Sequence, residues 1–235
     1  LIVNEHIINV PKINFINPDV VKSTKTLTGI SRKYIEYIRE LVLNKPTNVK
    51  VEKRFIIKRT NRGIPKDINQ YLINNYGFSE VSLENFSLVE QAFLFNNAEI
   101  ILGAHGAGLA NMLFCKPKTK IIEFTSGYNP GCYSHLRDEI LFKTEKIDID
   151  MYTIFDDLNR KNLSLVNIPE DKQVTLYRDC KKYFEEPSMG SSFNKIGKNK
   201  FAAIKPEDYN SVDKVADIKM SLDNFVEIFK EIVNE

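Results

Sequence analysis

Apolar side chains recur at helical spacing in SRKYIEYIRELVL (31 to 43). Tyr34, Ile35, Ile38, Leu41 and Val42 share one face, and NKP closes the run. RFIIKR (54 to 59) switches to a short, β-branched apolar centre, the pattern of a buried strand. KDINQYLINNYGF returns to helical spacing, with Ile68, Tyr71 and Leu72 inward and Gly77 suited to a left-handed cap. SEVSLE alternates as a strand. In SLVEQAFLFNNA, Ser87 and Glu90 form an S-x-x-E capping box ahead of an apolar run. EIILGA (99 to 104) predicts another buried strand, a short helix follows and stops before Pro117, and KIIEF (120 to 124) predicts the next strand. A helix near 133 to 142 and a strand in EKIDI (145 to 149) continue the series.

This alternation predicts an α/β fold: a Rossmann-like parallel sheet with helices on both faces. Beyond Asp150 the pattern loosens into a polar loop, a helix around 171 to 185, the link EPSMGSSFNKIGKNK and a last amphipathic helix in SLDNFVEIFKEIV. Three regions follow: an N-terminal segment with a linking helix (1–45), a Rossmann-like core (46–150), and a C-terminal extension whose helices pack on the core (151–235).

Charge narrows the function classes. Lys plus Arg number 33 against 31 acidic residues, a net charge of +2, so wholesale nucleic-acid binding is not expected and any electrostatic function is local. Cys115, Cys132 and Cys180 are far apart, without paired metal-ligand spacing, which points to neither a disulfide framework nor a zinc site. No apolar run reaches the roughly 18 to 20 residues of a membrane span. The expectation is a cytoplasmic chain, or one peripheral at a membrane. Opening on Leu1 without a methionine, it is expected to be a fragment or processed piece, with an N-terminal lobe outside it.

The candidate chemistry lies in GAHGAGLANMLF (103 to 114), between a strand and a helix. In a parallel sheet, ligands bind outside the carboxyl ends of the strands, and glycines there let a phosphate approach the backbone. The N–H groups of Gly106, Ala107, Gly108 and Leu109 would then suit an anion. Asn111 stands where the third glycine of G-x-G-x-x-G belongs, so a nicotinamide or flavin fingerprint fails. A tight turn without a ligand would use the same glycines. Lys53, Arg54, Lys58, Arg59, Arg62 and Lys66 cluster without an acidic residue, and Lys58, Arg59 and Arg62 directly follow a strand, where guanidinium forks can bind phosphate oxygens. Glu123, closing KIIEF, is expected to accept from ribose hydroxyls or simply to be solvated.

RFIIKRTNRGI, GFSEVSLENFSLVEQAFLFNNAEIILGAHGAGLANMLF and KIIEF, in that order, resemble the characteristic block of the family-61 glycosyltransferases over about residues 50 to 150. The family usually shows two arginines where Lys58 and Arg59 stand. The resemblance implies a GT-B-type enzyme whose C-terminal lobe holds a nucleotide sugar, with this chain mostly that donor lobe. It implies inversion at the anomeric carbon without a metal or cofactor, a UDP-linked hexose or pentose as donor, a glycan or glycoconjugate as acceptor, and a place in polysaccharide assembly. Lys58, Arg59, Arg62 and the glycine loop would stabilise the leaving diphosphate, and His105 would act there as donor or cation; Arg59 and His105 are the candidate catalytic residues. A ring that only braces a neighbouring loop is the plainer role for His105. His6 and His135 have no comparable setting.

Other readings stay open. Asp148-Ile149-Asp150 is a D-x-D, which in a metal-dependent transferase would hold a divalent ion on the donor's phosphates. The chain could instead be a non-catalytic nucleotide-binding module. A third reading uses His105 as the nucleophile of a phosphotransferase or hydrolase, although no acid partner is evident at motif spacing. Asn85-Phe86-Ser87 and Asn162-Leu163-Ser164 match the glycosylation tripeptide without establishing secretion.

Overall fold

The computed structural model describes residues 32–60, 63–125, 149–157, 163–167, 194–195, 200–204 and 218–234. Its elements run α1 (Arg32–Leu43), β1 (Arg54–Ile57), α2 (Lys66–Tyr76), β2 (Ser79–Val81), a 3-10 turn (Leu83–Asn85), α3 (Leu88–Asn97), β3 (Ile100–Ala104), a 3-10 helix (Ala107–Phe114), β4 (Lys120–Thr125), β5 (Asp150–Phe155), β6 (Leu163–Asn167), β7 (Asn194–Lys195), β8 (Lys200–Ile204) and α4 (Leu222–Val233). β1 to β5 form one sheet, every pair parallel, in the order β2-β1-β3-β4-β5. β6, β8 and β7 form a separate antiparallel sheet in that order.

Strand alternation divides the parallel sheet's side chains into two cores. Phe55, Ile57, Ile101, Ile121 and Met151 point to one face, where Val42 of α1, Ala92, Leu94 and Phe95 of α3, and Leu109, Met112 and Phe114 of the 3-10 helix cover them. Ile56, Leu102, Ile122, Phe124, Tyr152 and Ile154 point to the other, covered by Ile68 and Leu72 of α2 and Phe225, Phe229 and Ile232 of α4. The result is the expected α/β sandwich, with strands apolar on both sides.

Local chemistry fixes the ends of these helices. Ser87 and Glu90 make the full capping box: the Glu90 N–H donates to Ser87 Oγ at 3.4 Å and the Ser87 N–H to Glu90 Oε2 at 2.7 Å. Gly77 ends α2 at φ 66°, the left-handed cap that a Cβ would oppose. Ser221 caps α4, and at its far end Lys120 Nζ on β4 donates to the Ile232 carbonyl at 2.7 Å, tying that helix to the sheet.

Three expectations meet the described residues here. Of the strand expected in EKIDI, residues 145–148 lie outside the described residues, and the described strand begins just past Ile149, running Asp150–Phe155 beside Lys120–Thr125. Its sequence, DMYTIF, is apolar on both faces and shows little alternation. The short helix expected after the glycine loop is there as a 3-10 helix, closed at Cys115 ahead of Pro117 and a left-handed Lys118 at φ 67°. The third concerns the stretch beyond Asp150, which holds an antiparallel sheet. The expected helices near 133–142 and 171–185, and most of the link, lie outside the described residues.

The two cores make one prediction. Phe229 has no exposed surface and meets Tyr76 edge-on, with centroids 4.9 Å apart, and Phe225 stacked at 5.2 Å. Phe229→Ala should lower unfolding stability by about 3 to 5 kcal/mol, read by urea denaturation.

Candidate functional site

The strand order decides where a site can form. From β1 the chain moves outward to β2, and α3 carries it back over β1 to β3, after which it moves the opposite way to β4. Loops leaving β1 and β3 therefore diverge, and the crevice between their carboxyl ends is the topological switch point of a 2-1-3-4-5 sheet. Arg59 follows β1 and His105 follows β3, so the two residues flank this crevice.

Arg59 bridges it. Its Nη1 donates to the His105 carbonyl at 2.5 Å, and the guanidinium lies against Gly106, where an added Cβ would stand 1.9 Å from Nη1 and 2.7 Å from Cζ. Gly106 is extended at φ 167° and ψ 166°, so its need for glycine is steric. Gly103 and Gly108 also lie close to protein, less tightly than Gly106. A Cβ on Gly103 would meet Ile57 Cδ1 at 3.1 Å, and one on Gly108 would meet Leu83 Cδ1 at 2.8 Å. The glycines let β1's end, its arginine and the turn after β2 close on the loop.

The loop's donors divide in use. His105 N–H donates to the Phe124 carbonyl at 2.7 Å and Leu109 N–H to the Gly106 carbonyl at 3.0 Å. The N–H groups of Gly106, Ala107 and Gly108 have no backbone partner among the described residues, as expected where a helix starts. Leu109, with no exposed surface, is a core residue whose N–H is already spent.

The 3-10 helix behind the loop is anchored at several points. Asn111 Nδ2 donates to Gln91 Oε1 at 2.8 Å, and Gln91 Nε2 donates to the Leu83 and Phe86 carbonyls at 2.9 Å each. Asn96 Nδ2 donates to the Phe114 carbonyl at 2.8 Å, and Arg39 Nη1 to the Leu113 carbonyl. Asn111 thus locks the loop to α3. Arg39, Gln91 and Asn96 support the site, and nothing in their sequence context marks them.

His105 reaches across to β4. Its Nδ1 lies 2.6 Å from Glu123 Oε1; the imidazole is 24% exposed and the carboxylate not at all. Glu123 lies inside β4, paired with Gly103 and Thr153, and not at the strand's end. Its setting is therefore the His105 ring and not a solvated edge. Burial pushes its carboxyl above the usual range, and the hydrogen bond and charge of His105 pull it back. Its Oε2 is buried without a hydrogen-bond partner among the described residues.

Not every candidate gathers here. Lys58 turns the other way, its Nζ 3.2 Å from Glu80 Oε2, while Asn69 Nδ2 donates to Glu80 Oε1 at 3.0 Å. It lines a separate cavity of about 430 Å³ beside the edge strand β2, with Lys50, Glu52, Ser82 and Phe86. Arg62 lies outside the described residues, as does Asp148. Asp150 opens β5 opposite Lys120, at the amino-terminal edge of the sheet and away from the crevice. Cys115 is buried and burial pushes its thiol far up, so it offers no nucleophile.

Comparison with known proteins decides the lineage. Residues 4–122 match the sequence model of the family described as Glycosyltransferase 61. The chain belongs to glycosyltransferase family 61. The family-61 match takes in Arg59 and the whole glycine loop and stops one residue before Glu123. The chain is also 26% identical over 129 residues to the EGF domain-specific O-linked N-acetylglucosamine transferase of Drosophila melanogaster, covering 52% of this chain and 25% of that protein. It thus spans about a quarter of that relative's length. Among the described residues no helix is long and apolar enough to cross a membrane.

Gly106→Ala tests the packing at the crevice. The three atoms nearest the added methyl all belong to the end of the Arg59 side chain, so the guanidinium should leave the His105 carbonyl and the melting temperature should fall by no more than the loss of that one hydrogen bond. Gly108→Ala meets buried Leu83 and should cost about 1 to 3 kcal/mol. Thermal unfolding of both variants, with a crystal structure of the first, checks the contrast.

Proposed function

We propose that this chain is the donor-binding lobe of a metal-independent, inverting glycosyltransferase that moves a sugar from a UDP-linked donor to a hydroxyl on a glycan or glycoconjugate. The observation that carries this reading is the Arg59 guanidinium held over Gly106 at the switch point, beside the N–H groups of Gly106, Ala107 and Gly108. Fixed donors of this kind suit a diphosphate, whose charge grows as the sugar departs.

Inversion assigns the sides of the reaction. The acceptor oxygen attacks the anomeric carbon opposite the leaving phosphate, so the base that takes its proton lies across the sugar from the glycine loop. His105, flanked by that loop and by Arg59, therefore belongs to the leaving group, where an imidazolium donates to the departing oxygen. The base then comes from the facing lobe. Lys58, paired with Glu80, and Arg62 would contribute to the wider positive field that draws in the donor. The Drosophila relative's name speaks of N-acetylglucosamine and EGF domains. That makes an N-acetylhexosamine donor and a protein hydroxyl the first pair to try.

Calorimetry of the chain with UDP, GDP, CDP, CMP and their sugar conjugates, with and without chelator, tests this reading. One nucleotide diphosphate should bind equally with chelator, and Arg59→Ala should weaken it roughly 10- to 100-fold, the loss of a charged hydrogen bond. Binding abolished by chelator would move the reading to a metal-dependent enzyme. Binding without any turnover by the full-length protein would make it a nucleotide-binding module.

A further inference from the structure

The carboxyl group of Glu123 is costly to bury where it stands. On its face of the sheet β4 presents Ile121, neighbouring β3 presents Ile101, and β5 presents Met151, all fully or almost fully buried. Directly beside Glu123 stand Gly103 and Thr153, and a buried carboxyl with one oxygen unpartnered among the described residues costs stability there. What the carboxyl does offer is one short contact, Oε1 to His105 Nδ1 at 2.6 Å.

We propose that Glu123 is a positioning residue that holds His105 as an imidazolium, its Nδ1–H donated to the carboxylate and its Nε2–H delivered to the departing diphosphate. The proposal rests on the reading of the crevice as a nucleotide-sugar site. Its chemistry is that of a buried acid orienting an imidazole: the carboxylate fixes the ring, determines which nitrogen faces it, and favours the charged form. No proton leaves the pair, because Nε2–H only hydrogen-bonds the phosphate oxygen while the sugar's bond to that oxygen breaks and its bond to the acceptor forms. Burial pushes the Glu123 carboxyl above the usual range, and the hydrogen bond and charge of His105 work against that push. The pair keeps one proton between its two groups.

Among the described residues, further charged groups lie at this end of the sheet. Arg59 approaches from the β1 loop through the His105 carbonyl, and Asp156 lies buried just past β5, its N–H on the Thr125 carbonyl. Across from Glu123, β5 presents uncharged Thr153, and the 3-10 helix carries no titratable side chain near the loop. Arg59 opposes protonation of His105, Asp156 favours it from a distance, and Glu123 favours it through direct contact at Nδ1.

The test follows the imidazole nitrogens of this chain by long-range proton–nitrogen NMR across a pH series. The sequence has only three histidines, and His105→Gln assigns the signal. Glu123→Gln should lower the His105 midpoint by about 1 to 3 pH units, and Glu123→Asp, which keeps the charge but shortens its reach, should lower it by less. In parallel, UDP affinity at pH 7.5 should fall at least several-fold in Glu123→Gln and recover as the pH drops below the new midpoint. An unchanged midpoint in both variants overturns the proposal. A shifted midpoint with UDP affinity unchanged at every pH overturns it too. If the wild type bound no nucleotide diphosphate, the reading of the site would fail, and the midpoint shift would still report whether Glu123 governs His105.

Discussion

The reversal of direction between β1 and β3 is the constraint on which the site depends. Because the chain leaves β1 for α2 on one face and β3 for the 3-10 helix on the other, neither of these connections covers the carboxyl ends of the two strands. A crevice left open this way needs something to hold its walls together. The hydrogen bond from Arg59 to the His105 carbonyl does so, joining the end of one strand to the end of the next with a group that also carries positive charge. Guanidinium suits this place better than ammonium, since it can donate to the backbone and keep further donors for an anion.

The small residues around His105 follow from the same closure. Gly103 accommodates Ile57, Gly106 accommodates Arg59, and Gly108 accommodates Leu83, so the motif is shaped by protein packing on its inner side. A histidine among them is no anomaly. It is the first residue past β3, its backbone paired with Phe124 and its ring with Glu123, so its side chain runs beside the next strand and leaves the glycine turn uncrowded. Asn111 and Gln91 then fix the turn to α3, which makes the loop a rigid platform.

Much of this was legible from residue patterns, for identifiable reasons. Ser87 with Glu90 and Gly77 mark helix ends through local hydrogen bonding and a local φ, so no tertiary information was needed. The strands of the parallel core announce themselves as apolar runs. Pairing was harder to see. Glu123 reads as a strand's last residue because KIIEF ends the apolar run, but β4 continues to Thr125, and only its register with Gly103 shows the carboxyl buried beside His105. Lys58 and Arg59 look like one basic cluster, yet neighbouring residues leave a strand in opposite directions, one toward Glu80 and the other toward His105. The antiparallel strands LSLVN and KFAAI are flanked by polar segments and stand far apart in sequence, so the pattern did not reveal their pairing.

Taken together, the crevice, the arginine bridge, the unspent N–H groups and the buried acid behind the imidazole make one claim: a diphosphate seats on this loop between β1 and β3. A crystal structure of the chain with UDP tests it most directly. The account predicts phosphate oxygens within hydrogen-bond distance of the Arg59 guanidinium and of the Gly106 and Ala107 N–H groups. A diphosphate seated in the cavity beside β2, or at the amino-terminal edge near Asp150, would contradict it.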